Sequence, residues 1–93
     1  MRWRHSLAWK VEVSESAAKE LRKIGSSNAS RIVKYLRKLE LTPNPREQGK
    51  PLKGALRELW RYRVGDYRIL CEIKENELII LTLKIGHRKD IYR

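Results

Sequence analysis

The sequence predicts an α+β fold in the order β-α-α-β-β-β, a small, mostly antiparallel sheet with a two-helix hairpin packed on one face. Three observations carry this expectation. Two consecutive stretches place apolar residues at helical spacing, three aromatic and β-branched runs separated by turn signals follow them, and a short alternating run precedes both helices.

The alternating run is Lys10–Val13, with Val11 and Val13 on one face, and it can extend backwards through Trp9 and Leu7. Ser14 is a natural N-cap for a helix from Glu15 to Ile24, where Ala17, Ala18, Leu21 and Ile24 share a face. Glu15 near the start, Arg22 and Lys23 near the end, and Gly25 beyond it fit the helix dipole and a glycine stop. Ser26-Ser27-Asn28 reads as a turn, after which Ile32, Val33, Leu36 and Leu39 stripe a second helix that ends near Leu41. Thr42-Pro43-Asn44-Pro45 then breaks the helical pattern.

Arg46–Lys53 is polar and basic with no period, and reads as a loop that Gly54 to Glu58 continues as a turn. Leu59–Val64 and Tyr67–Ile73 flank the hairpin signal Gly65-Asp66, Glu75-Asn76 turns again, and Leu78–Ile85 is the most apolar strand. Gly86 is expected to end it, leaving His87 to Arg93 as a polar tail. A helical crossover suits a parallel connection, so the first strand most simply lies beside the last.

A chain of 93 residues, 41% hydrophobic, supports one small core, so residues 1–93 are expected to form a single domain with no room for a separate cofactor fold. Leu78–Leu83, interrupted by Thr82, is the longest apolar run and falls far short of the roughly 20 residues of a membrane helix. The basic start Met1-Arg2-Trp3-Arg4-His5 leads to Leu7-Ala8-Trp9 and then to Lys10 and Glu12, so no signal-peptide core follows, and a cytoplasmic protein is expected. Cys71, the single cysteine, has no disulfide or metal-spaced partner and is expected to be a half-buried free thiol. Lys and Arg number 22 against 11 for Asp and Glu, and the net charge of +11 calls for a polyanionic partner, nucleic acid or acidic protein.

With Gly65-Asp66 as a two-residue loop, Val64 pairs with Tyr67, Arg63 with Arg68, Tyr62 with Ile69 and Arg61 with Leu70. Trp60, Tyr62, Val64, Tyr67, Ile69, Cys71 and Ile73 then face the helices, and Arg61, Arg63 and Arg68 face away. Like charges directly opposite each other repel by a few tenths to about 1 kcal/mol, so an anion is their natural complement. The expected release at Gly86 would bring His87, Arg88 and Tyr92 to the edge of this face, residue types that move protons and hold phosphate. The plain alternatives are a solvated arginine face and a tail in which Ile91 and Tyr92 pack on the core. No glycine-rich phosphate loop, no metal-ligand spacing and no Ser-His-Asp arrangement is present, and neither a cofactor nor a metal is expected.

Lys50-Pro51-Leu52-Lys53-Gly54, the run from Leu59 through Trp60, Arg61, Tyr62, Arg63, Val64, Gly65, Asp66, Tyr67, Arg68 and Ile69 to Leu70, and the ending Gly86-His87-Arg88-Lys89-Asp90-Ile91-Tyr92 resemble the RelE toxin family of toxin–antitoxin systems. The resemblance spans nearly the whole chain. It implies a RelE-like fold and an mRNA interferase that enters the ribosomal A site, contacts mRNA and ribosomal RNA, and is silenced by an acidic, partly disordered RelB-like antitoxin. The implied reaction is metal-free: the ribose 2′-OH attacks the adjacent phosphate, leaving a 2′,3′-cyclic phosphate and a 5′-OH.

By the same resemblance, Arg68 and Arg88 clamp the scissile phosphate, Arg61 and Arg63 hold RNA and favour 2′-OH ionisation, Tyr92 acts as general base or stacks on a base, and His87 is a candidate general acid. Lys50, Lys53 and Arg57 join Arg61 and Arg63 as the expected RNA-contacting set. Arginines stand where some members carry lysines, and a guanidinium that stays protonated shuttles protons poorly, which shifts that task to Tyr92 or His87. The tail is expected to stop at Arg93, without the C-terminal helix that some members of the family carry. Two other readings share this pattern: a ParE-like gyrase inhibitor of the same topology, and a non-enzymatic RNA- or ribosome-binding module for which the charge and Trp3 would suffice.

Overall fold

The computed structural model of the protein describes residues 9–52 and 59–87. β1 (Lys10–Val13) leads into α1 (Glu15–Lys23) and α2 (Ser26–Glu40), followed by β2 (Lys50–Pro51), β3 (Leu59–Val64), β4 (Tyr67–Lys74) and β5 (Ile79–His87). The sheet has five strands in the order β1-β5-β4-β3-β2, with β1 parallel to β5 and every other pair antiparallel. Both helices cover one face. Ala17, Ile32, Leu36 and Leu39 from the helices meet Trp9, Tyr62, Ile69, Cys71, Ile80 and Ile85 in a single core, as the apolar stripes require. No helix among the described residues is long and apolar enough to cross a membrane.

Ser14 caps α1 as expected, its Oγ accepting from Ala17 N–H at 3.0 Å while its hydroxyl donates to Leu83 O at 3.0 Å. The turn expected at Ser26-Ser27-Asn28 is already helix. The reversal is confined to Ile24 and Gly25, because Gly25 takes a φ of +92° that side-chain-bearing residues disfavour, and Asn28 Nδ2 donates to the Ile24 carbonyl at 3.1 Å. Only two residues are therefore needed between the helices.

The basic segment after α2 also carries more structure than its composition suggests. Pro45–Gln48 forms a 3₁₀ turn, and Lys50 and Pro51 add an edge strand opposite Arg61 and Trp60, so the expected loop supplies the fifth strand. Two residues are too few to show an alternation, and proline is tolerated at a sheet edge because it donates no ladder hydrogen bond there. Gly49 lets this segment approach: a Cβ on it would lie 2.8 Å from Arg61 O and 2.8 Å from the Tyr62 ring. Gly49→Ala is therefore expected to cost about 1–3 kcal/mol in urea unfolding and to loosen Lys50 from Arg61.

β5 differs at both ends from the expected strand. Leu78 sits in the left-handed region at φ +56° and closes the Glu75–Glu77 turn, and the strand runs through Gly86 to His87. Between them Leu70 pairs with Lys84 but Cys71 pairs with Thr82, so Leu83 is an extra residue in a β-bulge. Cys71 is fully buried, not half-buried. The turn expected over Gly54 to Glu58, and the tail from Arg88 to Arg93, lie outside the described residues.

Candidate functional site

The sheet face away from the helices presents its side chains in rows set by the strand register. Lys50, Arg61, Leu70 and Lys84 form one row across β2, β3, β4 and β5, and Arg63, Arg68 and Gly86 form the next. Leu59, Glu72, Leu81 and Glu12 make a third row, which keeps the carboxylates towards the other end of the strands. With strands ~4.8 Å apart and about 6.8 Å between same-face rows, Lys50, Arg61, Arg63, Arg68 and Lys84 share a patch ~14 Å by ~7 Å. Leu70, only 7% exposed, is its apolar floor.

The Arg63–Arg68 pairing read from the hairpin signal is the one observed, as are Val64–Tyr67, Tyr62–Ile69 and Arg61–Leu70. Arg63 is exposed, whereas Arg61 and Arg68 are half-buried and Arg68 Nη1 is a buried atom. Gly86 puts no side chain opposite Arg68. Lys50 lies in the patch, while Lys53, Arg57, Arg88 and Tyr92 lie outside the described residues.

His87 is not brought to the arginines. Gly86 does not release the chain, so strand parity continues and sets His87 opposite Tyr67 on the helix-facing side, the two rings edge-on at 5.9 Å. Tyr67 Oη in turn lies 3.5 Å from Asn28 Nδ2 of α2.

Lys84 is the patch residue that reading the sequence missed, hidden in the most apolar strand. A signal was present: strict alternation from Ile80 through Thr82 would bury Lys84 beside the core, which a lysine resists, and a bulge is the usual remedy. The bulge at Leu83 turns Lys84 outward to the arginine face and restores Ile85 to the core.

Behind the patch the sheet is anchored by buried polar groups. Tyr62 donates its hydroxyl to Pro45 O at 2.9 Å, and its ring packs 6.0 Å from that of Tyr35. Burial drives the Tyr62 phenol pKa far above its ordinary value, with Cys71 and Tyr35 adding to the rise and Arg46 opposing it. The Arg46 guanidinium lies 5.9 Å over the Trp60 ring and forms an ion pair with Glu75, tying the 3₁₀ turn to the far end of the sheet.

Cys71 is no candidate nucleophile. Burial pushes its pKa up to about 12, against a lowering hydrogen bond to Thr82 Oγ1 at 3.7 Å. The native protein is expected to resist iodoacetamide at neutral pH and to be alkylated once unfolded. Because the folded thiol keeps its proton longer than the unfolded one, whose pKa is 9.0, this group's stabilisation is complete below pH 9 and is lost as pH rises towards about 12, a decline that urea midpoints can follow.

Residues 11–92 match the profile of a family described as the ParE toxin of the type II toxin–antitoxin system parDE. The toxin RelG of Mycobacterium tuberculosis is 29% identical over 87 residues, covering 94% of this chain and 99% of its own, and the toxin RelE of the same organism is 30% identical over 83 residues, covering 89% and 84%. Among solved structures, a toxin–antitoxin complex from M. tuberculosis superposes with a TM-score of 0.79 at 26% identity, over 90% of this chain and 95% of that one. An archaeal RelE–RelB complex from Pyrococcus horikoshii does so at 0.70 and 25% identity, over 89% and 98%.

Proposed function

Since the chain belongs to the RelE/ParE family of toxins of type II toxin–antitoxin systems, we propose that it is a metal-independent endoribonuclease that cuts mRNA in the ribosomal A site, acting in the cytoplasm as a single toxin domain. The observation that carries this reading is the patch of Lys50, Arg61, Arg63, Arg68 and Lys84, with Arg63 directly opposite Arg68. Two arginines directly opposite each other concentrate positive charge at one place on the sheet, and a phosphate is the natural complement of such a place.

In the proposed reaction the 2′-OH attacks the adjacent phosphorus in line, its proton passes to a base, and O5′ leaves with a proton, giving a 2′,3′-cyclic phosphate and a 5′-OH end. The phosphorane-like transition state carries more negative charge on its equatorial oxygens than the ground state. Guanidinium groups fixed beforehand by the strands stabilise that difference with little reorganisation. Arg68, half-buried against the Leu70 floor, holds the scissile phosphate together with Arg88, while Arg61, Arg63 and the lysines hold the flanking backbone. Tyr92 takes the 2′-OH proton, since arginines shuttle protons poorly, and O5′, at the opposite apical position, takes its proton from water because His87 stands on the other face. The roles of Arg88 and Tyr92 rest on the resemblance alone.

An acidic antitoxin of the RelB kind, folding over the patch, would neutralise the same cations. A RelB partner is named for the related archaeal RelE complex. The family's ParE description favours one second reading, a gyrase inhibitor that cuts no RNA. Purified protein added in parallel to stalled ribosomes and to a gyrase supercoiling assay separates the two. The nuclease reading expects cut mRNA, unaffected supercoiling and loss of cutting in Arg88→Ala; inhibited supercoiling with intact mRNA would replace it with the ParE reading.

A further inference from the structure

On the other side of the sheet, two grooves flank α2 and differ in character. The groove towards β1 is lined chiefly by Val11, Val13, Leu21, Val33 and Leu36, and the Glu40 carboxylate in its wall accepts from Val11 N–H at 2.9 Å. The groove towards β3 is lined by Arg31, Lys34, Tyr35, Lys38 and Val64, and continues past Tyr35 and Lys38 to Thr42 and Gln48. Its three cations are exposed, and none has a carboxylate of another described residue within 4.0 Å.

The walls of the cationic groove are held in place. Tyr35 packs on Tyr62 and donates to Gln48 O at 3.4 Å, and the Arg31 guanidinium lies against the β3–β4 turn, where a Cβ on Gly65 would come within 2.9 Å of it. Val64 belongs to the helix-facing side of β3, so the thickness of the sheet separates this groove from Arg61, Arg63 and Arg68.

We propose that the groove of Arg31, Lys34 and Lys38 is a second RNA-binding surface that takes the phosphodiester backbone without reading its sequence. It rests on the reading of the protein as one that acts on RNA, but on none of the chemistry assigned to the sheet face. Positions 31, 34 and 38 share one helix face and span about 10 Å of axis, the rise of about three steps between stacked nucleotides at ~3.4 Å each, so the three cations fall within reach of a stretch of about four phosphates. An acidic protein segment is the weaker match. Its carboxylates follow one another at no fixed step, whereas a phosphodiester backbone presents one charge per nucleotide at a regular step along which the cations at 31, 34 and 38 are strung.

The test is a salt titration of the full chain with a short fluorescent single-stranded RNA carrying 2′-O-methyl groups, which cannot be cut by 2′-OH attack. The variant R31Q/K34Q/K38Q keeps helix propensity, and K10Q/K19Q/R22Q, equally exposed, makes the same change in net charge elsewhere; circular dichroism checks both folds. The groove variant is expected to bind at least tenfold more weakly at low salt and to lose about 2 units of the slope of log K against log salt, from three phosphate contacts at roughly 0.7 each. The control variant should lose much less. Equal losses in the two variants, or none in the groove variant, would overturn the proposal. So would a groove variant that keeps RNA affinity but loses affinity for a polyglutamate peptide, which would mark a protein-docking surface. Failure of the wild type to cut ribosomal A-site mRNA would overturn the nuclease reading and leave the RNA titration as it stands.

Discussion

Arg68→Ala is expected to slow mRNA cleavage on stalled ribosomes by about 10²–10³-fold in single-turnover measurements, the loss typical of removing one preorganised donor to a developing oxyanion. Stability should move little and in mixed directions. Deleting the charge opposite Arg63 relieves repulsion of a few tenths to about 1 kcal/mol, while deleting a half-buried side chain that has interactions of its own acts in the opposite direction. A large kinetic loss with a near-native urea midpoint is therefore the expected signature. Arg68→Lys should recover only part of the rate, since an ammonium cannot make the bidentate contact of a guanidinium. Equal falls in rate and stability would make Arg68 a structural residue.

Tyr62→Ala is expected to lower unfolding free energy by about 3–5 kcal/mol, a large share of the 5–15 kcal/mol usual for a small domain. Tyr62 is 1% exposed, packs at a tilt against Tyr35 and holds Pro45 O, so its loss opens a cavity and detaches the turn that leads into β2. Tyr62→Phe keeps the ring and leaves Pro45 O without its donor, which should cost about 1–3 kcal/mol. Both variants act behind the patch, so the Phe variant should retain cleavage at temperatures where it is folded.

The elements most legible in the sequence are those with a strong period or an unambiguous stop. The stripe Ile32, Leu36 and Leu39, the cap Ser14, the glycine at 25 and the hairpin signal Gly65-Asp66 each point to one local structure, and the last fixes the Arg63–Arg68 pairing residue by residue. What escaped the reading depends on contacts distant in sequence. β2 exists because Gly49 can lie against Arg61 O and because Tyr62 holds Pro45, neither of which shows in a two-residue strand. The same holds for the site. A glycine at 86 reads locally as a strand end, yet pairing with Arg68 keeps it in the ladder and turns His87 away from the arginines. Lys84 reaches the patch only through the bulge at Leu83, whose carbonyl is taken by Ser14 from the far side of the helical crossover.

The central claim, that this basic face cuts mRNA by 2′-OH attack in the ribosomal A site, is tested most directly by mapping both ends of an mRNA on ribosomes stalled at a defined codon. A matched message with a single 2′-deoxynucleotide at the cut position is run beside it. A 2′,3′-cyclic phosphate and a 5′-OH are expected within the A-site codon, with no cut at that position in the deoxy message. Intact mRNA with a folded protein, or a cut that survives the missing 2′-OH, would contradict it.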